Sequence, residues 1–284
     1  MFGDLSMDLC NYPVPIPARN TEASIKDLLN MNESAKAIKG KPRNEARPKL
    51  DWDPKGYAGL YEKGSAASNF FAERIRIILD LIHEDKKGKV LDAGCGPGMM
   101  IRHLIDGNRK IVGLDLSPAM IRQCLQTPDL SAGVEFLCGS VESLPFMDGI
   151  FDVVLAMGVL EYVTEAAEAA RELARVTEKD GIVIMTMLNK ISLYRLWQKA
   201  YERLFHSEGT PLSLYSARSF CRLVESRKDL EVLKVVYYDF NLFPPPFDRK
   251  MPGRAVKINS RLEPLLRNCQ KWFGSGFIVK ARKK

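Results

Sequence analysis

A carboxylate, Asp92, is followed at alternate positions by three glycines, Gly94, Gly96 and Gly98, and farther on by a second acid, Asp115. Glycines in such a turn let the backbone approach a ligand closely, and an acid ending the next strand can take ribose hydroxyls. The chemistry this implies is nucleoside binding. The spacing is G-x-G-x-G, not the G-x-G-x-x-G of dinucleotide sites. Pro97 also removes a backbone donor that a diphosphate would use. Cys95 lies inside the turn, and Leu116 follows the second acid.

The elements that must carry these residues are readable from apolar periodicity. Val90 and Leu91 make a short buried strand ahead of the glycines. Met99, Met100, His103, Leu104 and Ile105 predict a helix directly after them, and residues 111–114 predict a second strand that ends on Asp115. Residues 134–139 read as a third strand, residues 148–154 lead through a fourth that ends before Met157, and residues 182–187 read as a fifth. Upstream, Phe70, Phe71, Ile75, Ile78, Leu79 and Ile82 recur at helical spacing over residues 69–83. Downstream, a helix over residues 192–206 has an apolar stripe of Leu193, Trp197, Ala200, Tyr201 and Leu204, with Arg195, Lys199 and Arg203 off it. A second amphipathic segment, residues 216–226, leads to a strand at 231–240, and residues 276–280 predict the last strand.

The run V-L-D-A-G-C-G-P-G at 90–98 resembles motif I of the class I S-adenosylmethionine-dependent methyltransferases. The segments S-V-E-S-L-P-F (140–146) and D-G-I-F-D-V-V (148–154) are similar to the small-molecule branch that includes the ubiquinone and menaquinone pathway enzymes, as is L-E-Y-V (160–163). The resemblance covers residues 57–189 well. It implies a Rossmann-like three-layer α/β/α sandwich with a mostly parallel seven-stranded sheet, its last strand antiparallel. It also implies a transferase with S-adenosyl-L-methionine as cofactor. No His/Cys/Asp cluster at ligand spacing lies near these motifs, so no metal is expected. The cofactor ring it implies is Tyr57, Tyr61 and Arg74 ahead of motif I, then Asp92, Gly94, Cys95, Gly96, Gly98, Asp115, Leu116, Ser140, Val141, Glu142 and Met157. Ser140 departs from the aspartate usual at its place, and a neutral acceptor there bonds more weakly than a charged one.

For the acceptor side, Glu161 and Tyr162 follow the fourth strand, where acceptor and methyl group meet in relatives. Glu161 is a candidate base or orienting group, with Tyr162 standing where a histidine is common. His206 is the other candidate base, on the helix expected over the acceptor. The expected reaction is methylation of a small, apolar or aromatic acceptor, at oxygen in preference to carbon or nitrogen. The alternatives are an RNA-modifying methyltransferase and a non-catalytic cofactor-binding partner subunit.

Composition sets the remaining bounds. The chain of 284 residues reads as a methyltransferase domain over 51–284, with helical insertions at about 189–226 and 241–274, preceded by an extension at 1–50 that is a flexible arm or part of a lid. No apolar run is long enough for a membrane span, and the six scattered cysteines suit reduced thiols better than a disulfide framework. A cytoplasmic location follows. The net charge of +7 is uneven: residues 241–284 hold eleven Lys/Arg against two Asp/Glu. The ordinary reading is a basic, solvated terminus; the sharper one is peripheral contact with an anionic membrane.

Overall fold

A computed structural model describes residues 53–59, 66–82, 88–107, 109–131, 133–205, 212–240 and 269–284, together with residues 258, 261, 262 and 265. Helix α1 (Pro54–Gly59) and helix α2 (Ala66–Leu81) precede the sheet. Then follow β1 (Gly88–Ala93), the single turn α3 (Ile101–Leu104), β2 (Arg109–Asp115), α4 (Pro118–Gln126), α5 (Pro128–Ser131), β3 (Val134–Cys138) and β4 (Phe151–Ala156). The second half comprises α6 (Ala166–Val176), β5 (Thr177–Leu188), α7 (Leu193–Phe205), α8 (Ala217–Glu225), β6 (Leu230–Phe240), α9 (Gln270–Phe273) and β7 (Gly274–Lys283).

The seven strands form one sheet in the order β3-β2-β1-β4-β5-β7-β6. The pairs among β1 to β5 are parallel, and β7 runs antiparallel to both of its neighbours. The strands are nearly continuous apolar runs because both faces are covered. Leu91, Leu114, Val154, Met185 and Val279 pack on one face with Leu173 of α6 and Phe220 of α8. Val90, Ile111, Leu155, Ile184 and Ile278 pack on the other with Ile75 and Ile78 of α2, Ile101 of α3 and Ile121 of α4. This is the expected three-layer α/β/α sandwich. Alternation along β1 sends Asp92 to the same face as Val90, toward α2.

Two local expectations need correction. The helix predicted straight after the glycines is reduced to one turn. Residues 96–100 stay in turns, Gly98 holds φ +79°, and Ile105 at the end of α3 is already extended. The apolar stripe predicted for α7 is largely outward among the described residues: Trp197 is 43% exposed and Leu204 73%. Arg195, expected off the stripe, is only partly exposed and turns inward. The reason lies at the start of the helix. Asn189 is fully buried, and its amide donates to Lys271 O (2.9 Å) and Gly274 O (2.8 Å). The Ser192 hydroxyl donates to Asn189 O and accepts from Arg195 N. These polar anchors fix the rotation of the helix in place of its apolar side chains. No described helix is long and apolar enough to cross a membrane. The extension at 1–50 and most of the 241–274 insertion lie outside the described residues.

Candidate active site

The carboxyl ends of β1, β2 and β4 meet at one edge of the sheet, where ligands of open α/β folds bind. The glycine turn is tied down from below. Gly94 N and Cys95 N both donate to Leu114 O, at 2.6 and 2.9 Å. Gly94 has φ +84°, and a Cβ there would sit 2.7 Å from the Val159 side chain, so only glycine closes this turn against the loop after β4. A Cβ at Gly96 would meet only Tyr57 Cε1, at 3.8 Å. That side of the turn is open to a ligand, with Tyr57 of α1 as its rim.

Asp115 shapes the turn as well as ending β2. Its two oxygens accept from Gly96 N and Ser117 N, both at 2.8 Å. Burial raises its proton affinity, and the two amide donors act against that. Leu116 beside it is 41% exposed. Cys95 is buried, and its thiol is pushed well up by the Cys124 thiol first and by burial second.

Asp92 is strongly perturbed as well. It is 1% exposed, and neither carboxylate oxygen has a hydrogen-bond partner among the described residues. Burial raises it from 3.8 to about 7; nearby Asp115 adds to the shift, and Arg74 opposes it. Arg74 is itself 3% exposed and packs under two rings, with its guanidinium carbon 5.2 Å from the Phe70 centroid and 5.0 Å from that of Phe71. It hydrogen-bonds Tyr238 of β6, and a Cβ at Gly158 would lie 2.9 Å from its Nη1. The arginine therefore bridges the ends of β1 and β4.

After β4, Met157 is half-buried and Glu161 is 5% exposed. Burial raises the Glu161 carboxyl, against its own backbone N–H and the charges of Arg74 and Arg195; its Oε2 has no partner among the described residues. Tyr162 is half-buried, and its phenol is pushed up by burial, then by Glu161 and Tyr57. Arg195 joins from α7. Its charge is opposed by burial and favoured by Tyr194, Glu161, Glu202 and Tyr162.

On the far side, Ser140 Oγ accepts from Glu142 N at 3.2 Å, and Val141 is buried. The Glu142 carboxylate accepts Glu165 N at 3.1 Å. The structure thus groups Tyr57, Arg74, Asp92, Asp115, Glu161 and Tyr162 with the glycine turn. Tyr61 and His206 lie outside the described residues. Sequence reading missed two members. Helical periodicity puts Arg195 on the polar side of its helix, and Tyr238 sits in a strand far down the chain. A charge on the side of the helix opposite Trp197 and Leu204 carries no local signal of facing inward.

Residues 91–185 match the family described as a methyltransferase domain. A malonyl-[acyl-carrier protein] O-methyltransferase of Pseudescherichia vulneris is 32% identical over 131 residues, 45% of this chain and 51% of the relative. The chain thus spans about half the length of that relative. Among solved structures, magnesium protoporphyrin IX methyltransferase from Synechocystis with bound S-adenosylhomocysteine superposes with TM-score 0.58 at 14% identity, covering 81% of this chain and 93% of that one. The [4+2]-cyclase SpnF superposes at 0.51 with 23% identity, covering 72% and 79%. A cyclase on this fold means that the architecture alone does not define the reaction. The fold, the glycine turn and the family match together make residues 91–185 a class I S-adenosylmethionine-dependent methyltransferase domain.

Proposed function

We propose that the protein transfers a methyl group from S-adenosylmethionine to an oxygen atom of a small acceptor. The observation that carries this reading is Asp92, a buried carboxylate with two unpartnered oxygens beside the open face of Gly96. A buried acid in that state fits a ligand that brings a cationic N–H donor. Arg74 beside it fits the carboxylate at the same end of such a ligand. Asp115, with lone pairs beyond those used by Gly96 and Ser117, fits a ribose, and the reading leaves Leu116, Ser140 and Val141, which follow β2 and β3, for the base. The residues present therefore suit the cofactor. When bound, it supplies a methyl group on a sulfonium, a good leaving group.

The remaining work belongs to alignment and exclusion of water. Tyr57 and Tyr162 close the rim of the turn, and Glu161 holds or moves a proton on the acceptor side. Oxygen as the receiving atom is supported by the O-methyltransferase named above, whose match is confined to about half of its length.

Calorimetry tests the cofactor half. S-adenosylhomocysteine is expected to bind and NAD is not; the reverse would overturn the reading. Asp115→Ala is expected to weaken S-adenosylhomocysteine by about 1.5–3 kcal/mol, the range for a hydrogen bond to a charged group. It also strips acceptors from Gly96 N and Ser117 N, so the melting temperature should fall with it. Unchanged affinity in a folded Asp115→Ala protein would remove Asp115 from the site.

A further inference from the structure

The buried polar cluster beyond the glycine turn has a requirement that the cofactor residues do not meet. Arg195 Nε is buried without a hydrogen-bond partner among the described residues, and so is Glu161 Oε2. Each side chain alters the other's proton affinity, yet no ion pair joins them among the described residues. The other recorded bond of the Arg195 guanidinium runs back along its own helix, from Nη1 to Gln198 Oε1. Both side chains are held in place. Ser192 caps the turn that bears Arg195, and Ser213 N donates to Glu161 O at 2.9 Å.

We propose that Arg195 reads an anionic group on the acceptor, and that the acceptor is a carboxylic acid whose carboxylate is seated between Arg195 and Glu161. The inference rests on the methyltransferase reading above and names the substrate class of that site.

Three points carry it. A guanidinium does not deprotonate, so a buried one with a free N–H calls for an acceptor, and an anionic planar acceptor matches it best. Glu161 Oε2 is buried without a partner among the described residues, and burial raises the proton affinity of its carboxyl, so a proton taken up as the anion arrives turns repulsion into a donated hydrogen bond. A carboxylate offers two oxygens: one accepts from Arg195 Nε–H and the other from the Glu161 acid. A primary amide is neutral and offers the guanidinium a weaker acceptor than a carboxylate does, which costs affinity. An ionised carboxylate also has no proton to lose, so a site that takes it needs no base.

The test uses the full chain and the variants Arg195→Met and Arg195→Lys. Benzoate, hexanoate and monoethyl malonate are each compared with the matching primary amide, with release of S-adenosylhomocysteine from S-adenosylmethionine as the activity readout. Saturation-transfer NMR of benzoate on protein loaded with S-adenosylhomocysteine reads binding without turnover. Acids are expected to be methylated and amides not. Arg195→Met should raise KM for the acids at least tenfold and abolish the benzoate signal, while S-adenosylhomocysteine affinity stays within twofold. Arg195→Lys should recover part of the loss, because a charge remains without the planar fork. Equal use of acids and amides overturns the proposal. So does failure of every acid with a wild-type protein that binds S-adenosylhomocysteine, or an unchanged KM in Arg195→Met. If Arg195→Met loses S-adenosylhomocysteine binding as well, Arg195→Lys and the wild-type preference for acid over amide decide. A wild-type protein that does not bind S-adenosylhomocysteine fails the underlying reading instead.

Discussion

Asp92→Asn is expected to make the cofactor-free protein more stable at pH 8, by up to about 4 kcal/mol, and worse at binding S-adenosylhomocysteine. The magnitude follows from a carboxyl raised by burial from 3.8 to about 7, at about 1.4 kcal/mol for each tenfold change in proton affinity. The sign follows from proton counting. Between these two values the folded state holds a proton that the unfolded chain has released, so wild-type stability falls as pH rises through that window. Below about 4 both states are protonated and the acid costs nothing; above about 7 both are ionised and the full cost applies. Asparagine does not titrate, so its advantage should grow from pH 4 to pH 8. Asp115 and Arg74 are the charged groups facing the acid, with opposite effects. Denaturant unfolding at several pH values measures this. Parallel pH profiles for wild type and variant would show that Asp92 is not raised. Saturating S-adenosylhomocysteine should narrow the gap, because a bound donor relieves the ionised acid.

Arg175→Met is expected to cost about 1.5–3 kcal/mol, the range for hydrogen bonds to charged groups, because Glu172 keeps Arg171 as a partner. Arg175 on α6 grips Glu172 with two bonds of 2.8 Å and also donates to Leu144 O (2.9 Å), Phe146 O (2.7 Å) and Asp148 (2.7 Å). Glu172 is 4% exposed and accepts Leu144 N at 2.8 Å. Together they pin the loop that follows Ser140 and Val141 to the sheet's helical layer. The change removes one charge and leaves Glu172 buried with only Arg171 as an ion-pair partner among the described residues. Combining Arg175→Met with Glu172→Leu should cost less than the two single losses added, with a coupling of about 0.5–3 kcal/mol. Urea midpoints of the three variants check this. A single-variant loss below about 1 kcal/mol would mean that the loop is held by its apolar side chains Val141, Leu144 and Phe146 instead.

What was legible in the sequence was local. The glycine spacing, the acid ending β2 and the strand periods each lie within a few residues of one another, and the fold class followed from them. The short α3 was not legible, because Met99 to Ile105 have helical spacing whether or not Gly98 and the early start of β2 leave room for a helix. Arg195 was hidden for a different reason. Helical periodicity assigns faces on the assumption that apolar residues decide which side docks, and here Asn189 and Ser192 decide it. Tyr238 reaches Arg74 only because β6 and α2 share a face of the sheet, a relation set by topology. Asp92 was singled out by motif, but its perturbed state depends on burial and on Arg74 from another helix.

The place of β7 has a consequence for how the chain is made. It pairs with β5 on one side and β6 on the other, along Ile182 to Leu188 and Leu230 to Phe240, although both neighbours are synthesised before it. From the emergence of Leu188 to that of Gly274, translation at about 5–20 residues per second takes on the order of ten seconds. For that interval an apolar strand edge of β5 waits on the ribosome with its hydrogen-bonding groups open to water or to another nascent chain. The half of the sheet that carries the glycine turn pairs early, through contacts close in sequence, so the nucleotide side can be in place while the acceptor side is still incomplete.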